Sequence, residues 1–251
     1  MAEHLATEVD HSLVSHQFED RHQQKDAATL GMWTFLATEV LFFGALFLSY
    51  TVYRHQWPEA FRQGSLDLKW YMGGVNTGVL LLSSFSMALA VHAAALGNNA
   101  KIIRYLVLTI IIGGVFLGIK ACEYYIEYQE HLVPALNFST QRPSEEHMSA
   151  VGRGFEHFDE WLGLYIKPID KQEERPHSEA LFFLFYFIMT GVHATHMIVG
   201  IGVMLVLIAM ARRGKFSAGY HNPVENFGLY WHFVDIVWVF LFPTLYLLRN
   251  P

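Results

Sequence analysis

The fold class is decided by residues 70–100, a stretch without a charged side chain that reads WYMGGVNTGVLLLSSFSMALAVHAAALGNNA. A bilayer core of about 30 Å is crossed by roughly 20 helical residues, so this stretch is long enough to span a membrane. Four similar stretches flank it, with charges only at Glu39, Lys120, Glu123 and Asp235. The sequence therefore predicts an all-α integral membrane bundle of five transmembrane helices, at residues 27–53, 70–96, 105–126, 180–211 and 226–248.

The composition supports a membrane protein and excludes several other classes. Of the 251 residues, 53% are hydrophobic and only 16% are charged, which is too apolar for an ordinary soluble domain. The net charge of −6 leaves no basic excess for nucleic acid, so we expect no nucleic-acid partner. The single cysteine, Cys122, cannot form an intrachain disulfide or a Cys-x-x-Cys-His haem attachment. Any cofactor would therefore be held by His, Asp or Glu.

The polar segments divide the chain into a tail and a membrane domain. Residues 1–26 are predicted to be a polar amino-terminal tail, and residues 27–251 form the membrane domain, which includes a long extramembrane loop at 127–178. Lys and Arg in the two short connections, at 101–104 and 212–215, favour a cytoplasmic amino terminus, with the carboxy terminus and the loop outside. Five loop residues recur at helical spacing, as an amphipathic segment or as a local cluster: Phe155, Phe158, Trp161, Leu162 and Tyr165.

Ionisable groups inside the predicted spans are costly, so each one needs a reason. Depth along the helices places five of them in one midplane layer, and three interpretations follow: a metal site, a proton path, or groups that satisfy one another inside the bundle. Two of the histidines start i, i+3 pairs suited to ligation, but the carboxylates are too few for a typical di-iron bundle site. A proton path would need polar continuity, which the apolar residues 40–48 interrupt. The five are Glu39, His193, His196, His232 and Asp235.

Lys120 and Glu123 lie near the end of the third predicted span, three residues apart on one helix face. We expect them to pair with each other and to extend to the membrane interface. The sequence has no Gly-x-Ser-x-Gly motif, no phosphate-binding glycine loop and no Cys–His pair. Hydrolase, ATPase and thiol chemistry are therefore not predicted for this chain.

Six short motifs along all five spans resemble subunit III of cytochrome c oxidase, in the five-helix form of the haem–copper oxidase subunit III family. The order and the spacing of these motifs are also similar to those of the family. The motifs are Gly31-Met32, Ala37-Thr38-Glu39-Val40-Leu41-Phe42-Phe43, Asn76-Thr77, Glu123-Tyr124-Tyr125, Thr190-Gly191-Val192-His193 with His196, and Tyr230-Trp231-His232-Phe233-Val234-Asp235-Ile236-Val237-Trp238.

The resemblance implies an accessory, non-redox subunit of a respiratory terminal oxidase of the aa3 or caa3 type, in aerobic electron transport at a bacterial plasma membrane. Haem and copper would lie in partner subunits, so the resemblance implies no catalytic, cofactor-binding or metal-ligating residue in this chain. The complex would act as a cytochrome-c oxidase. Subunit I would be the main partner, stabilised by this chain and supported by it in proton uptake. Other oxidase subunits and bound phospholipid complete the implied partners. A quinol oxidase subunit III is the alternative, and a self-contained membrane di-iron oxygenase is a further one.

The residues that match the family form a lipid-binding or buried polar cluster, with Glu39 as the proton-related candidate. Arg213 is a lipid-phosphate contact in this scheme, although Arg212 and Lys215 are also available. Three departures from the family are the absence of its two amino-terminal helices, Lys120 in place of a common glutamine, and the length of loop 127–178. We expect that loop to contact a neighbouring cytochrome or respiratory complex. The cluster comprises Glu39, His193, His196, Arg213, Glu225, His232 and Asp235.

Overall fold

The computed structural model describes residues 18, 20–134, 136–140 and 177–247, and these residues contain helices and no strand. The helices are α1 (Arg21–Gln56), α2 (Pro58–Asp67), α3 (Trp70–Ala95), α4 (Asn99–Gln129), α5 (Glu179–Arg212) and α6 (Asn222–Phe242), which continues as a π-helix (Pro243–Leu247). The five predicted spans correspond to α1, α3, α4, α5 and α6, each long and apolar enough to cross a membrane.

Helix ends follow local capping signals. The side chain of Asp20 accepts a hydrogen bond from the backbone N–H of Gln23, so α1 begins within the segment that the sequence assigned to the tail. Asn98 caps α4 in the same way through the N–H of Lys101. Gly97, with φ of +67°, makes the tight turn between α3 and α4 that a residue with a Cβ would strain.

The short helix α2 was not predicted from the sequence. Pro58 stands at its first position, where a missing N–H costs nothing. Phe61 is buried and packs edge-on against Tyr50 of α1 and Phe182 of α5. The helix therefore covers one end of the bundle. The predicted aromatic cluster at Phe155 to Tyr165 lies outside the described residues.

The helices do not contribute equally to the core. Half of the most apolar window of the last span is buried, against 17% for α1, so α6 is central and α1 lies at the edge. The ring of Trp231 in α6 fills the space beside Gly113 of α4 and Gly200 of α5. A Cβ at Gly200 would lie 2.8 Å from that ring, so only glycine permits this approach.

Large apolar side chains cover the outside of the bundle. Leu30, Leu41 and Leu48 of α1 are each about two-thirds exposed, and the other spans present similar residues. Such a surface would be costly in water and is matched to hydrocarbon. The chain is therefore an integral membrane protein, and five of its described helices are long and apolar enough to span the membrane.

Candidate functional site

The one carboxylate of the first span pairs with a histidine of the fourth. Oε2 of Glu39 on α1 lies 3.1 Å from Nε2 of His196 on α5, and both side chains are nearly one-fifth exposed. His196 Nδ1 lies 2.9 Å from the carbonyl of Val192 and must donate to it, because a carbonyl only accepts. The contact between Nε2 and Glu39 then holds one further proton, on the imidazole or on the carboxyl group.

Neighbouring aromatic residues position this pair. The hydroxyl of Tyr230 donates to the backbone carbonyl of His196 at 2.9 Å, tying α6 to α5 at this level. The ring of Phe43 lies 5.2 Å from the imidazole, centroid to centroid. The histidine is therefore fixed by packing and by both ring nitrogens.

The pair opens into an apolar groove of about 660 Å³ between α1, α5 and α6. Glu39 and His196 are part of its wall. A second groove, of about 550 Å³, shares Pro223 and Asn226 with the first and is more polar. The apolar groove is further lined by Met32, Phe35, Val199, Val203, Leu207 and Phe227, and the polar one by His22, Lys25, Tyr220, His221 and Asn222.

Glu225 lies by the polar groove, in the first turn of α6. Its Oε2 is 3.7 Å from His221 Nε2 and 4.0 Å from Lys25 Nζ, and the side chain is 44% exposed. A carboxylate at a helix amino terminus is favoured by the helix dipole. This residue therefore belongs to the mouth of the grooves and not to the buried interior.

His193 lies one turn before His196 but faces the core. It is fully buried, and its ring packs against Phe116 and Trp238 at centroid distances of 5.5 and 5.2 Å. Neither ring nitrogen makes a hydrogen bond within the part of the chain that the structure describes. The predicted pairing of the two histidines at one centre is therefore not seen.

His232 and Asp235 lie on a third side, between α3 and α6. His232 Nδ1 is 2.7 Å from Ser84 Oγ of α3. Asp235 is buried and faces the same hydroxyl. This cluster shares no residue with the Glu39 pair.

Arg213 is exposed at the end of α5 and borders a separate groove of about 460 Å³ between α4 and α5. Arg212 lines the same groove, while Lys215 does not. The predicted cluster is thus distributed over several places. Among the described residues, no three His, Cys, Asp or Glu side chains are arranged to hold a metal ion.

A further polar cluster, which we call the Lys120 cluster, was underestimated from the sequence. Lys120 Nζ lies 2.9 Å from Glu123 Oε2, which confirms the predicted pair. The expectation that the pair extends to the interface is wrong, because both side chains are at most 4% exposed. Tyr186 of α5 and Tyr246 of the π-helix enclose the ammonium through their hydroxyls, at 2.8 and 3.0 Å.

The enclosure of Lys120 is largely aromatic. Its Nζ lies 4.8 to 5.7 Å from the ring centroids of Tyr124, Tyr186, Trp238 and Tyr246, within the range of cation–π contacts. Tyr246 also donates to Glu123 Oε1 at 2.6 Å. The cluster therefore joins α4, α5, α6 and the π-helix. The spacing of Lys120 and Glu123 was visible in the sequence, but the distant tyrosines were not.

The extramembrane side of the bundle carries one well-formed exposed pair. Arg62 donates twice to Glu59 of α2, at 3.0 and 2.7 Å, and Gln63 donates at 2.9 Å. These hydrogen bonds, from Arg62 first and Gln63 second, hold the pKa of Glu59 below its ordinary value of 4.5. The glutamate is 60% exposed, so the pair contributes little to stability.

Comparison with known proteins gives a consistent result. The family model for cytochrome c oxidase subunit III matches residues 174–249, which include every residue of the predicted cluster except Glu39. Cytochrome c oxidase subunit 3 of Synechocystis is 26% identical over 97% of this chain and 85% of its own length. The same subunit of Thermostichus vulcanus is 27% identical over 91% of both chains.

A relative with a different electron donor in its name is nearly as similar. Cytochrome bo(3) ubiquinol oxidase subunit 3 of Pseudomonas aeruginosa is 25% identical over 98% of this chain and 95% of its own. The matches to these relatives thus extend over nearly the whole chain. The chain is therefore similar to subunit III of cytochrome c oxidase and of quinol oxidase along most of its length.

Proposed function

We propose that this chain is an accessory, non-redox subunit of a haem–copper terminal oxidase in aerobic electron transport. It packs beside subunit I, which carries the haem and copper, and it stabilises that subunit. One observation carries the proposal: the ionisable groups inside the spans lie in separate places instead of converging on one centre, and several of them pair locally. Glu39 pairs with His196, Lys120 with Glu123, and His232 with Ser84.

The Glu39–His196 pair is the part of the chain suited to proton supply. The two groups share a proton across 3.1 Å and line a groove that reaches towards a polar mouth. Protonatable groups at such a position bind and release protons without bond chemistry. In this proposal the pair supports proton uptake by subunit I and takes no part in oxygen reduction.

The joined grooves are suited to a phospholipid. The apolar part accepts an acyl chain, and the polar part offers Lys25, His22 and His221 to a headgroup phosphate. Arg212 and Arg213 offer a second phosphate contact, beside the separate groove between α4 and α5. The structure supports Arg213 over Lys215 for that contact, because only the arginines border the groove.

We favour cytochrome c as the donor of the complex, with a quinol oxidase as the alternative. The alternative is supported by the name of the Pseudomonas aeruginosa relative. The bacterial relatives support a plasma membrane location. The Lys and Arg distribution supports an amino terminus inside, with the carboxy terminus and loop 127–178 outside. A neighbouring cytochrome or respiratory complex is the proposed partner of that loop, and deletion of residues 155–166 without effect on assembly and turnover would contradict it.

The first experiment is affinity purification of the tagged chain in mild detergent, with mass spectrometry and a visible haem spectrum. We expect a haem-bearing subunit I to co-purify, and the haem spectrum to stay with that partner when this chain is removed. Oxidation of reduced cytochrome c, compared with oxidation of a quinol, then identifies the donor. A chain that purifies alone with bound iron would overturn the proposal.

A further inference from the structure

Two polar side chains, those of Ser84 and His232, lie on the outside of α3 and α6 at a depth where lipid offers no hydrogen-bond partner. His232 is half-buried, and its Nδ1 contacts Ser84 at 2.7 Å. His232 lies ten residues after the start of α6, and Ser84 eleven residues before the end of α3. At about 1.5 Å per residue, both are roughly 15 Å from a membrane surface, which is the midplane of the bilayer.

Apolar residues surround this position on the outside of the bundle. Leu81 and Phe85 of α3 and Ile236 of α6 are 55%, 64% and 54% exposed. We call these three residues, together with Ser84 and His232, the α3–α6 face. The polar pair therefore lies within an apolar outer surface and not at a helix end.

Only one ring nitrogen of His232 has a partner within the described part of the chain. Nδ1 contacts the hydroxyl of Ser84, and no hydrogen bond joins Nε2 to another described residue. Asp235, close by on α6, is 3% exposed and does not reach His232. Nε2 is therefore a polar atom at the midplane without a partner among the described residues, whichever nitrogen carries the proton.

Lipid does not satisfy such a nitrogen. At the midplane a lipid contributes only hydrocarbon, whereas a helix of another protein can present a hydroxyl or amide side chain, which both donates and accepts. We propose that the α3–α6 face is the contact surface for a transmembrane helix of another subunit, whose hydroxyl or amide side chain hydrogen-bonds to His232 Nε2. The identity of that subunit rests on the proposed function, but the surface does not.

Two substitutions distinguish the proposed contact of Nε2 with another subunit from the contact of Nδ1 with Ser84. Glutamine places a polar atom near the position of Nε2, and asparagine places one near Nδ1. We expect His232→Asn to lower the amount of partner retained on the tagged chain by at least about threefold, the scale of one interhelical hydrogen bond in a membrane. His232→Gln should restore most of it.

The control is His92→Gln, at the exposed end of α3, which should change nothing. Equal amounts of each variant in the membrane fraction would show that the chains still insert. The reverse order, with His232→Asn normal and His232→Gln impaired, would show that only the contact within this chain matters, and would overturn the proposal.

Photo-crosslinking tests the surface directly. A photoreactive phenylalanine analogue is placed at Leu81 or Ile236, and at Val206 on α5 as an exposed control. We expect adducts with another subunit from the first two positions. Lipid adducts alone, adducts with a second copy of this chain, or equally strong adducts from Val206 would overturn the inference. If a haem-bearing partner co-purifies but no such adduct forms, the inference fails alone; if no partner co-purifies, the proposed function fails as well.

Discussion

Two acid–base pairs in this bundle differ mainly in how they are enclosed. The side chains of Lys120 and Glu123 are 4% and 3% exposed, and tyrosine hydroxyls surround them. Those of His196 and Glu39 are 19% and 18% exposed and line a groove. The first pair has its partners fixed within the chain and holds helices together. The second is accessible to a ligand or a proton from outside the bundle.

The difference predicts where stability resides and where activity resides. Breaking a fully buried ion pair leaves an uncompensated charge. The Glu39 pair is less enclosed, and a neutral amide in place of its carboxylate can still hydrogen-bond to the histidine. The two regions should therefore respond in opposite ways to neutral substitutions. Stability should depend on the Lys120 cluster, and proton-linked function on the Glu39 pair.

The largest effect is expected for Lys120→Met, which leaves Glu123 buried without its cation. The bundle should lose about 3–5 kcal/mol of stability, which would appear as a lower midpoint of thermal unfolding in mild detergent. Lys101→Met, at the exposed start of α4, is the control and should have little effect. Adding Glu123→Leu to the first variant should restore much of the loss. An unchanged midpoint for Lys120→Met would contradict the structural role of the pair.

A smaller loss is expected for Tyr246→Phe. It removes the hydroxyl that donates to Glu123 at 2.6 Å, and a hydrogen bond to a charged group is worth about 1.5–3 kcal/mol. The same unfolding measurement applies. Tyr125→Phe on the exposed side of α4 is the matched control. Equal effects from the two variants would show that the buried hydroxyl is not special.

For Glu39→Gln we expect a stability change below about 1 kcal/mol and an assembled complex, because the neutral glutamine amide can still hydrogen-bond to His196 Nε2. Most of the initial oxygen consumption should be retained, while proton uptake slows and activity declines during continued turnover. Glu225→Gln, at the mouth of the grooves, is the control. Immediate and complete loss of oxygen reduction would instead assign a catalytic role to Glu39.

The smallest effect is expected at the exposed pair of α2. Because the pKa of Glu59 is lowered on folding, its stabilising contribution is complete above the ordinary value of 4.5 and is lost as pH falls through the lowered value. The contribution should be below about 0.5 kcal/mol, since the glutamate is 60% exposed. Arg62→Ala should therefore lower the unfolding midpoint slightly at pH 7 and not at strongly acidic pH. A large effect at either pH would contradict the expectation that the effect of breaking a pair increases with its burial.

The fold could be predicted from the sequence because its main signal is local. Long stretches without charge, such as residues 70–100, identify a spanning helix without knowledge of its neighbours. The helix α2 was missed although Pro58 marks its start, because it is only ten residues long and such a short helix depends on packing, here of Phe61 on the rings of Tyr50 and Phe182. The start of α1 differs from the predicted start of the span for a local reason that the sequence does contain, the capping by Asp20.

The site was only partly predictable, because depth along a helix does not specify direction around it. His193 and His196 share a depth range, yet one faces Trp238 in the core and the other faces Glu39. Lys120 was expected at the interface because the sequence does not show that the tyrosines at positions 186 and 246 enclose it. Such contacts between distant parts of the chain are set by tertiary packing, which a single sequence does not show.

The contact of Trp231 with Gly113 and Gly200 has a consequence for the timing of assembly. The tryptophan belongs to α6, which is synthesised after α4 and α5, and its ring fills the space between those two helices. The α4 and α5 helices can insert into the membrane before that, but their shared surface is completed only when α6 arrives. A chain truncated before residue 231 would therefore lack the ring that fills the space beside Gly113 and Gly200.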